Sequence, residues 1–252
     1  MGQGRLLMHL GGDPVWNMAM DQAIAEAIGE EVIRGGSPTQ TLRIYTWKAP
    51  TLSLGYFQQV EDSEPRFASV RRVRRSTGGG AILHDMELTY SLTMGSPPSE
   101  RGARPSLYSG VHEAILKSLA DFGVHAKAYR DEPQDSATAE KAFLCFHRRT
   151  DDDLIVHGYK VAGSAQRRHR GAILQHGSIL LEASTVAQEL PGLRELTSRQ
   201  ISVERLAECL VNHVGSFADV VFEPATTTSW EQQRSQLIEQ SRFASADWFN
   251  RR

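Results

Sequence analysis

Short apolar strands separated by glycine turns are the feature that most limits how this chain of 252 residues can fold. A glycine-rich turn at 77–80 and a second turn at Gly158 each separate segments that are rich in β-forming residues. Because strands joined by such short turns pair in antiparallel fashion, we expect a largely antiparallel sheet. The predicted strands are residues 41–45, 51–54, 70–76, 81–84, 88–93, 154–156, 160–162 and 176–181.

Helical segments accompany these strands. Asp13 followed by Pro14 predicts a helix start, with an N-cap residue and then proline at the first helical position. Two further faces with helical spacing lie at 108–122 and 203–217. Ser229 with Gln three residues later predicts a capping box, and the final residues are expected to be frayed. Helices beside such strands define an α/β (α+β) domain, with a mixed, largely antiparallel sheet flanked by helices.

Composition narrows the function classes. The 28 Lys and Arg residues nearly balance the 30 Asp and Glu residues, which argues against a dedicated nucleic-acid binder. No apolar stretch reaches the ~18 residues of a membrane span, and the start lacks a signal-peptide pattern. Two cysteines do not suggest a disulfide framework, and the nine histidines show no metal-ligand spacing. We therefore expect a cytoplasmic protein without a metal, a nucleic-acid partner or a membrane partner.

The candidate chemistry centres on Cys145, which precedes Lys160 by fifteen residues. A thiol of ordinary pKa, about 8.5, accepts acyl groups well only as its thiolate, which a nearby cation favours. Lys160 is followed by Gly163, Ser164 and Ala165, small residues that leave room for a substrate beside the ammonium. The pair predicts an acyl-transfer site if the fold brings it together. A buried core cysteine and a surface lysine are the alternatives, and the sequence leaves them open.

The glycine run at 78–80 is a second candidate. Three glycines remove the side chains from a turn, so backbone can lie against a ligand, although a tight hairpin turn is the alternative. His84 is expected to shape the pocket and not to bond Asp85, because neighbouring strand residues point to opposite faces. His176 either lines the pocket or forms hydrogen bonds within the sheet.

Two arginine clusters flank these segments. They are Arg71, Arg72, Arg74 and Arg75, and then Arg167, Arg168 and Arg170. Such runs are ordinarily solvated faces. The functional alternative is a docking surface for an acidic carrier protein, whose association this charge would accelerate.

Together these segments resemble the biotin/lipoate protein ligase superfamily. The resemblance is carried by residues 55–58, 74–85, 158–166 and 174–181. It covers about residues 13–217 and implies the catalytic-domain fold of that superfamily. We therefore expect residues 1–252 to form a single domain of this type, with a core at about 13–217 and a short C-terminal helical tail.

Within the superfamily, the chain is most similar to the cysteine-dependent octanoyltransferases. These carry Glu-Leu-Thr-Tyr-Ser, as at 87–91, a catalytic cysteine followed by Phe, and Leu-Gln-His-Gly-Ser, as at 174–178. Lipoate ligases usually carry a Gly-Asn pair after the His-Asp of the first motif, and that pair is absent here. One stretch departs from the octanoyltransferase pattern. Where a Ser-aromatic-Glu segment is expected, this chain has residues 147–153, in which Thr150 and Asp153 are the candidate replacements.

The resemblance implies an octanoyl-[acyl carrier protein]:protein N-octanoyltransferase of lipoate biosynthesis. Cys145 would take the octanoyl group from acyl carrier protein, and Lys160 would favour the thiolate and polarise the carbonyl. The acceptor would be a lysine of a lipoyl-domain protein, either the glycine cleavage carrier or a 2-oxoacid dehydrogenase E2. The implied substrate-binding residues are Arg75, Gly78, Gly79, Gly80, His84, Gly163, Ser164, Ala165, His176 and Gly177.

Two other functions stay open. One is an ATP-dependent lipoate or octanoate–protein ligase, which would need ATP and Mg, whereas the transferase needs no cofactor because its thioester donor is already activated. The other is a non-catalytic paralogue that binds lipoyl domains.

Overall fold

The computed structural model describes residues 1–63, 65–96, 105–131 and 142–251. Its strands are β1 (Gly2–Gly12), β2 (Thr41–Trp47), β3 (Thr51–Leu54), β4 (Arg71–Arg74), β5 (Ile82–His84), β6 (Glu87–Gly95), β7 (Lys127–Ala128), β8 (Leu154–Val156), β9 (Tyr159–His169), β10 (Ala172–Leu180) and β11 (Val220–Pro224). Its α-helices are α1 (Pro14–Ile33), α2 (Pro105–Ala120), α3 (Leu193–Thr197), α4 (Val203–Ala218), α5 (Ser229–Ile238) and α6 (Ala246–Phe249).

The main sheet is eight-stranded over the described ranges, in the order β11-β1-β2-β6-β10-β9-β8-β7. Its β11–β1 and β1–β2 pairs are parallel, and the remaining neighbours run antiparallel. A smaller sheet has the order β4-β3-β5. The predicted α/β (α+β) class, with a mixed, largely antiparallel sheet flanked by helices, is confirmed. Two strands, β1 and β11, lie outside the segment 13–217, where no strand was predicted.

Helices cover both faces of the main sheet. Leu42 and Ile44 on β2 belong to the large apolar cluster that contains α2 and α4. The alternate residues Arg43 and Tyr45 turn toward α1, because successive side chains of a strand point to opposite faces. Within the described ranges, no helix is long and apolar enough to cross a membrane.

The first helix begins as predicted. The Asp13 carboxylate accepts a hydrogen bond from Val15 N, and Pro14 occupies the first helical position. The helix ends at Ile33, just before Gly35, which adopts a positive φ of 84°.

The C-terminal part corrects two predictions. The N-cap of α5 is Thr228 and not Ser229, because the Glu231 side chain accepts from Thr228 N at 2.7 Å and also pairs with Arg5. The described end of the chain is packed, not frayed. Trp248 donates to Arg74 O at 2.9 Å, which seats α6 against β4.

Candidate active site

The backbone of Cys145 is attached to the glycine run. Ala81 N donates to Phe143 O at 2.9 Å, and Cys145 N donates to Ala81 O at 2.7 Å, so the two segments form a short parallel bridge. A Cβ on Gly80 would lie 3.0 Å from both Cα and N of Cys145. Glycine at position 80 therefore lets the two backbones meet. The run is not a hairpin turn, because β4 and β5 each pair with β3 and not with each other.

Gln58, the last residue of the segment 55–58, strengthens the same junction. Its side chain accepts from Gly55 N at 2.9 Å and donates to Phe143 O at 3.1 Å. Leu144, next to the cysteine, is almost fully buried and anchors the loop in an apolar cluster. The side chain of Cys145 itself is half-buried, so the plain core interpretation is wrong for this cysteine.

Lys160 is directed to the site by a β-bulge. Leu154 pairs with Ala162 and Ile155 with Lys160, so Val161 is one extra residue on β9. Without a bulge, residues three apart on a strand point to opposite faces. Here a Cβ on Gly163 would lie 2.7 Å from Lys160 Cε, which shows that the two positions share a face. Glycine at position 163 leaves the space that the lysine side chain occupies.

Lys160 joins the thiol to a buried carboxylate. Its Nζ lies 3.6 Å from Cys145 Sγ and 2.8 Å from Asp153 Oδ2. Burial lowers the pKa of Lys160, but Cys145 and Asp153 outweigh that effect, so the pKa of Lys160 is raised and the side chain stays an ammonium at neutral pH. The surface-lysine alternative is wrong, since the side chain is only 4% exposed.

The thiol and the ammonium meet at a cavity of about 200 Å³. That is below the ~300–1,000 Å³ of sites for drug-sized ligands, so the cavity suits a slender molecule. The side chains of Met18, Tyr45, Ile82 and Phe146 supply apolar wall. All the predicted site residues except Gly80 line it, namely Arg75, Gly78, Gly79, His84, Cys145, Lys160, Gly163, Ser164, Ala165, His176 and Gly177.

Arg75 places a second positive charge, a guanidinium, behind the glycine run. The side chain is fully buried and donates to Ser53 O, Gly78 O and Gly80 O at 2.7–2.8 Å. Burial lowers its pKa to about 10, while Cys145 acts in the opposite direction. Arg75 is therefore charged at neutral pH and fixes the carbonyls of the run.

The two predicted histidines lie in the wall. His176 Nε2 is 2.8 Å from Thr77 Oγ1, and burial lowers the pKa of His176 to about 4, so the ring is neutral at pH 7. His84 stacks on Trp47 with ring centroids 3.9 Å apart, and its Nδ1 lies 2.6 Å from Glu87 Oε1. As expected, His84 does not bond Asp85, which instead accepts from Ser184.

Sequence reasoning missed the ion pair of Asp153 and the hydrogen bonds of Ser164. Asp153 was considered only as a replacement within a divergent stretch, and its ion pair with Lys160 depends on the bulge. Ser164 was predicted as a small, substrate-binding residue, but its hydrogen bonds were not foreseen: its Oγ lies 2.5 Å from Tyr90 OH and 2.6 Å from His112 Nε2. The Glu-Leu-Thr-Tyr-Ser motif was the available signal for Tyr90, since that tyrosine is its fourth residue.

The first arginine cluster is split by the fold. Arg74 and Arg75 are buried, because their guanidinium groups bind backbone carbonyls, so a docking surface made of all four arginines is wrong. Arg71 and Arg72 are exposed, and Arg71 pairs with Asp13. In the second cluster Arg167 and Arg170 are exposed and Arg168 is half-buried.

This arrangement can form and hold an acyl thioester. An ammonium next to a sulfur favours the thiolate through Coulomb attraction. The N–H groups of that ammonium can also donate to an oxyanion that develops beside the sulfur. The apolar wall would take the tail of an acyl group.

Comparison with known proteins defines the class. Residues 13–190 match the lipoyl protein ligase A/B catalytic domain family. The chain is 32% identical to octanoyltransferase LipM of Geobacillus kaustophilus, over 93% of each chain. It is 34% identical to octanoyltransferase LipM of Moorella thermoacetica, over 98% of each. The chain therefore belongs to the lipoyl protein ligase A/B catalytic domain family, which confirms the resemblance predicted from the motifs. More particularly, its full-length relatives make it an enzyme, an acyltransferase.

A solved structure agrees on the fold. The structure of a bipartite lipoate protein ligase and its E2 lipoyl domain from Thermoplasma acidophilum superposes with a TM-score of 0.76 at 20% identity. The match covers 98% of this chain and 96% of that one.

Proposed function

We propose that this enzyme transfers an octanoyl group from acyl carrier protein to a lysine of a lipoyl domain through an acyl-enzyme at Cys145. The observation that carries the proposal is the distance of 3.6 Å between Lys160 Nζ and Cys145 Sγ at the wall of an apolar cavity. The names of the full-length relatives, octanoyltransferases, support the acyl group and the reaction class.

In the first step the Cys145 thiolate attacks the carbonyl carbon of the carrier thioester. A carbon–sulfur bond forms to Cys145, the bond to the carrier sulfur breaks, and the carrier leaves as a thiolate. The Lys160 ammonium stabilises the attacking thiolate and the oxyanion, which is charge stabilisation of the oxyanion-hole kind. Asp153 holds that ammonium in place at 2.8 Å.

In the second step the neutral amine of the acceptor lysine attacks the acyl-enzyme. An amide bond forms, Cys145 leaves as a thiolate, and the amine proton passes to solvent. The octanoyl carrier protein and the acyl-enzyme are both thioesters, which are already activated. The proposed reaction therefore needs no ATP, metal or other cofactor. The restored thiolate faces the same ammonium, ready for another carrier.

The cavity favours an aliphatic acyl group. Its apolar wall removes methylene groups from water, which is worth about 0.8 kcal/mol for each buried CH₂. Arg75, Gly78, Gly79, His84, His176 and Gly177 would form the rest of the substrate wall, with Gly163, Ser164 and Ala165 beside the reacting carbonyl. Gly80 would act only by letting the cysteine loop approach.

Two lines of support point to a lipoyl-domain acceptor. The family is that of lipoyl protein ligases, and the Thermoplasma acidophilum structure of the same fold was described together with an E2 lipoyl domain. Both the glycine cleavage carrier and a 2-oxoacid dehydrogenase E2 present such a lysine, so both are acceptors to test.

Intact-mass spectrometry tests the acyl-enzyme. Wild type incubated with octanoyl–acyl carrier protein, without ATP, is expected to gain one octanoyl group, and Cys145→Ala is expected to gain none. Cys209→Ser is the matched control, because Cys209 is the other cysteine of the chain and lies on α4. Addition of an apo-lipoyl domain should then move the label to that domain.

The ligase alternative gives the opposite pattern. Lipoyl-domain modification that needs ATP and free octanoate, and that survives Cys145→Ala, would replace the transferase proposal. Binding of lipoyl domains without turnover under either condition would support the non-catalytic alternative.

A further inference from the structure

Three guanidinium groups gather around two aromatic rings on the surface. Arg251 lies 4.3 Å from the ring centroid of Tyr56 and 4.7 Å from that of Trp248. Arg167 approaches Tyr56 at 5.6 Å, and Arg242 approaches Trp248 at 4.7 Å. The two rings are themselves 5.8 Å apart. We name these five residues the arginine–aromatic face.

This face adjoins the opening of the cavity. Gly79 is exposed and lines the cavity, and a Cβ on neighbouring Gly78 would lie 3.7 Å from the ring of Phe57, next to Tyr56. From the other side, Arg167 follows Ala165 by two residues on β9, in unbroken register with β10. Residues two apart on a strand share a face and lie about 7 Å apart, so Arg167 stands beside the cavity-lining Ala165.

Within the described part of the chain, no ion pair neutralises the positive charge of the face. Among the described residues, none of the three arginines forms an ion pair, and Arg242 donates only to the neutral Gln22 side chain. Glu26, whose charge acts to raise the pKa of Arg242, is paired with Arg234. Burial lowers the pKa of Arg242, and Arg167 and Arg251 act in the same direction, so these like charges are close enough to repel one another.

We propose that the arginine–aromatic face is the docking surface for the acidic carrier protein that delivers the acyl thioester. The inference rests on the proposed function and adds the partner's place of contact. An anionic partner relieves the repulsion between clustered like charges, and arginine guanidinium groups bind carboxylate and phosphate groups through two parallel hydrogen bonds. A carrier seated here would hold its flexible thioester arm next to the opening by Gly79.

Three of the five residues of the face come from the C-terminal segment. Arg242, Trp248 and Arg251 follow α5, and Trp248 is held by its hydrogen bond to Arg74 O. The packed tail thus supplies residues that sequence reasoning had assigned to a frayed end.

Charge reversal at Arg167 and Arg251 tests the proposal. The measurement is the initial rate of Cys145 acylation, followed by intact-mass spectrometry at low donor concentration. It is made with octanoyl–acyl carrier protein and, separately, with the octanoyl thioester of N-acetylcysteamine, a small donor that has no carrier protein and no charge. We expect Arg251→Glu and Arg167→Glu each to lower kcat/KM for the carrier donor about 3–10-fold, and the double variant more, with the difference shrinking at high salt. The rate with the small donor should stay within about twofold, which also shows that the variants are folded.

Arg205→Glu is the matched control. Arg205 is exposed at the third position of α4, on the opposite face of the sheet from α1, and Glu is a favourable capping-box residue there. It should not alter either rate.

Several results would overturn the docking proposal. They are an unchanged kcat/KM for the carrier donor, an equal loss with both donors, and a loss confined to transfer onto the lipoyl domain, which would make this the acceptor's surface. If wild type is acylated by neither donor, the proposed function fails. Titration of wild type and the charge-reversal variants with carrier protein then tests the docking surface by itself. Binding that the reversals weaken would support the face, and an absence of binding would reject it.

Discussion

Replacing Asp153 by Asn should expose how much the fold depends on the ion pair with Lys160. The two side chains are 2% and 4% exposed, and their charged atoms lie 2.8 Å apart. Removing one partner of a buried pair leaves an uncompensated charge and typically costs about 3–5 kcal/mol. Cys145 Sγ stays close to the ammonium, so we expect the lower end, about 3 kcal/mol, which lowers the melting temperature by about 6–12 °C in a chain of this size.

A double-mutant cycle separates the pair from other contacts of Asp153. The carboxylate also accepts from Thr150 N at 2.7 Å, and this contribution is the same whether or not Lys160 is present. In a Lys160→Met background, Asp153→Asn should cost less than about 1 kcal/mol, so the coupling free energy is about 2 kcal/mol or more. Equal losses of stability in the two backgrounds would refute the reasoning.

The assay is thermal and urea unfolding at pH 8. The pKa of Lys160 is raised above its ordinary 10.5, so the stability that it contributes is fully present below pH 10.5 and is lost as pH rises through the higher folded value. At pH 8 the pair is therefore intact in the wild type.

Other substitutions test the glycine packing, the buried histidine and the tail. Gly163→Ala should slow Cys145 acylation at least about tenfold in the intact-mass assay, because its Cβ would lie 2.7 Å from Lys160 Cε. Gly2→Ala, whose Cβ would meet Val220 at 3.5 Å, should leave the rate unchanged, and equal rates in both would contradict the geometry. The free energy of unfolding in urea should fall as pH drops from 6.5 to 4, by up to about 3 kcal/mol for His176, because the unfolded ring takes up a proton at about 6.5 and the buried ring only at about 4. His176→Gln should flatten this dependence, and an unchanged slope would show that another group is responsible. Trp248→Ala loses the hydrogen bond to Arg74 O and its aromatic contacts, so the melting temperature should fall by about 4–8 °C, for a cost of about 2 kcal/mol. A melting temperature equal to that of wild type would mean that the tail adds no stability.

Much of the fold followed from local signals in the sequence. The Asp13-Pro14 start of α1 and the hairpin of β8 and β9 rest on caps and turns, which act within a few residues. The motifs also placed Cys145 and Lys160 in one site, and the two side chains meet there. Their catalytic roles remain predictions.

The remaining features depend on long-range partners. Strand β1 was missed because few of its side chains are buried, which leaves Met8 42% and Leu10 53% exposed and its alternation weak. A run of arginines does not show that one of them, Arg74, will turn inward to bind carbonyls 16–19 residues away. Asp153 gained its partner through an extra residue in β9, and no periodic pattern predicts a bulge.

The short bridge between Ala81 and the Cys145 loop links the position of the sulfur to that of the glycine run. Cys145 belongs to no strand or α-helix, and two amide contacts tie its loop to the end of the glycine run. Because the two backbones are hydrogen-bonded to each other, we expect an outward displacement of the run to shift the sulfur as well. Under the proposed octanoyl transfer, entry of the acyl chain and alignment of the sulfur would therefore be mechanically coupled.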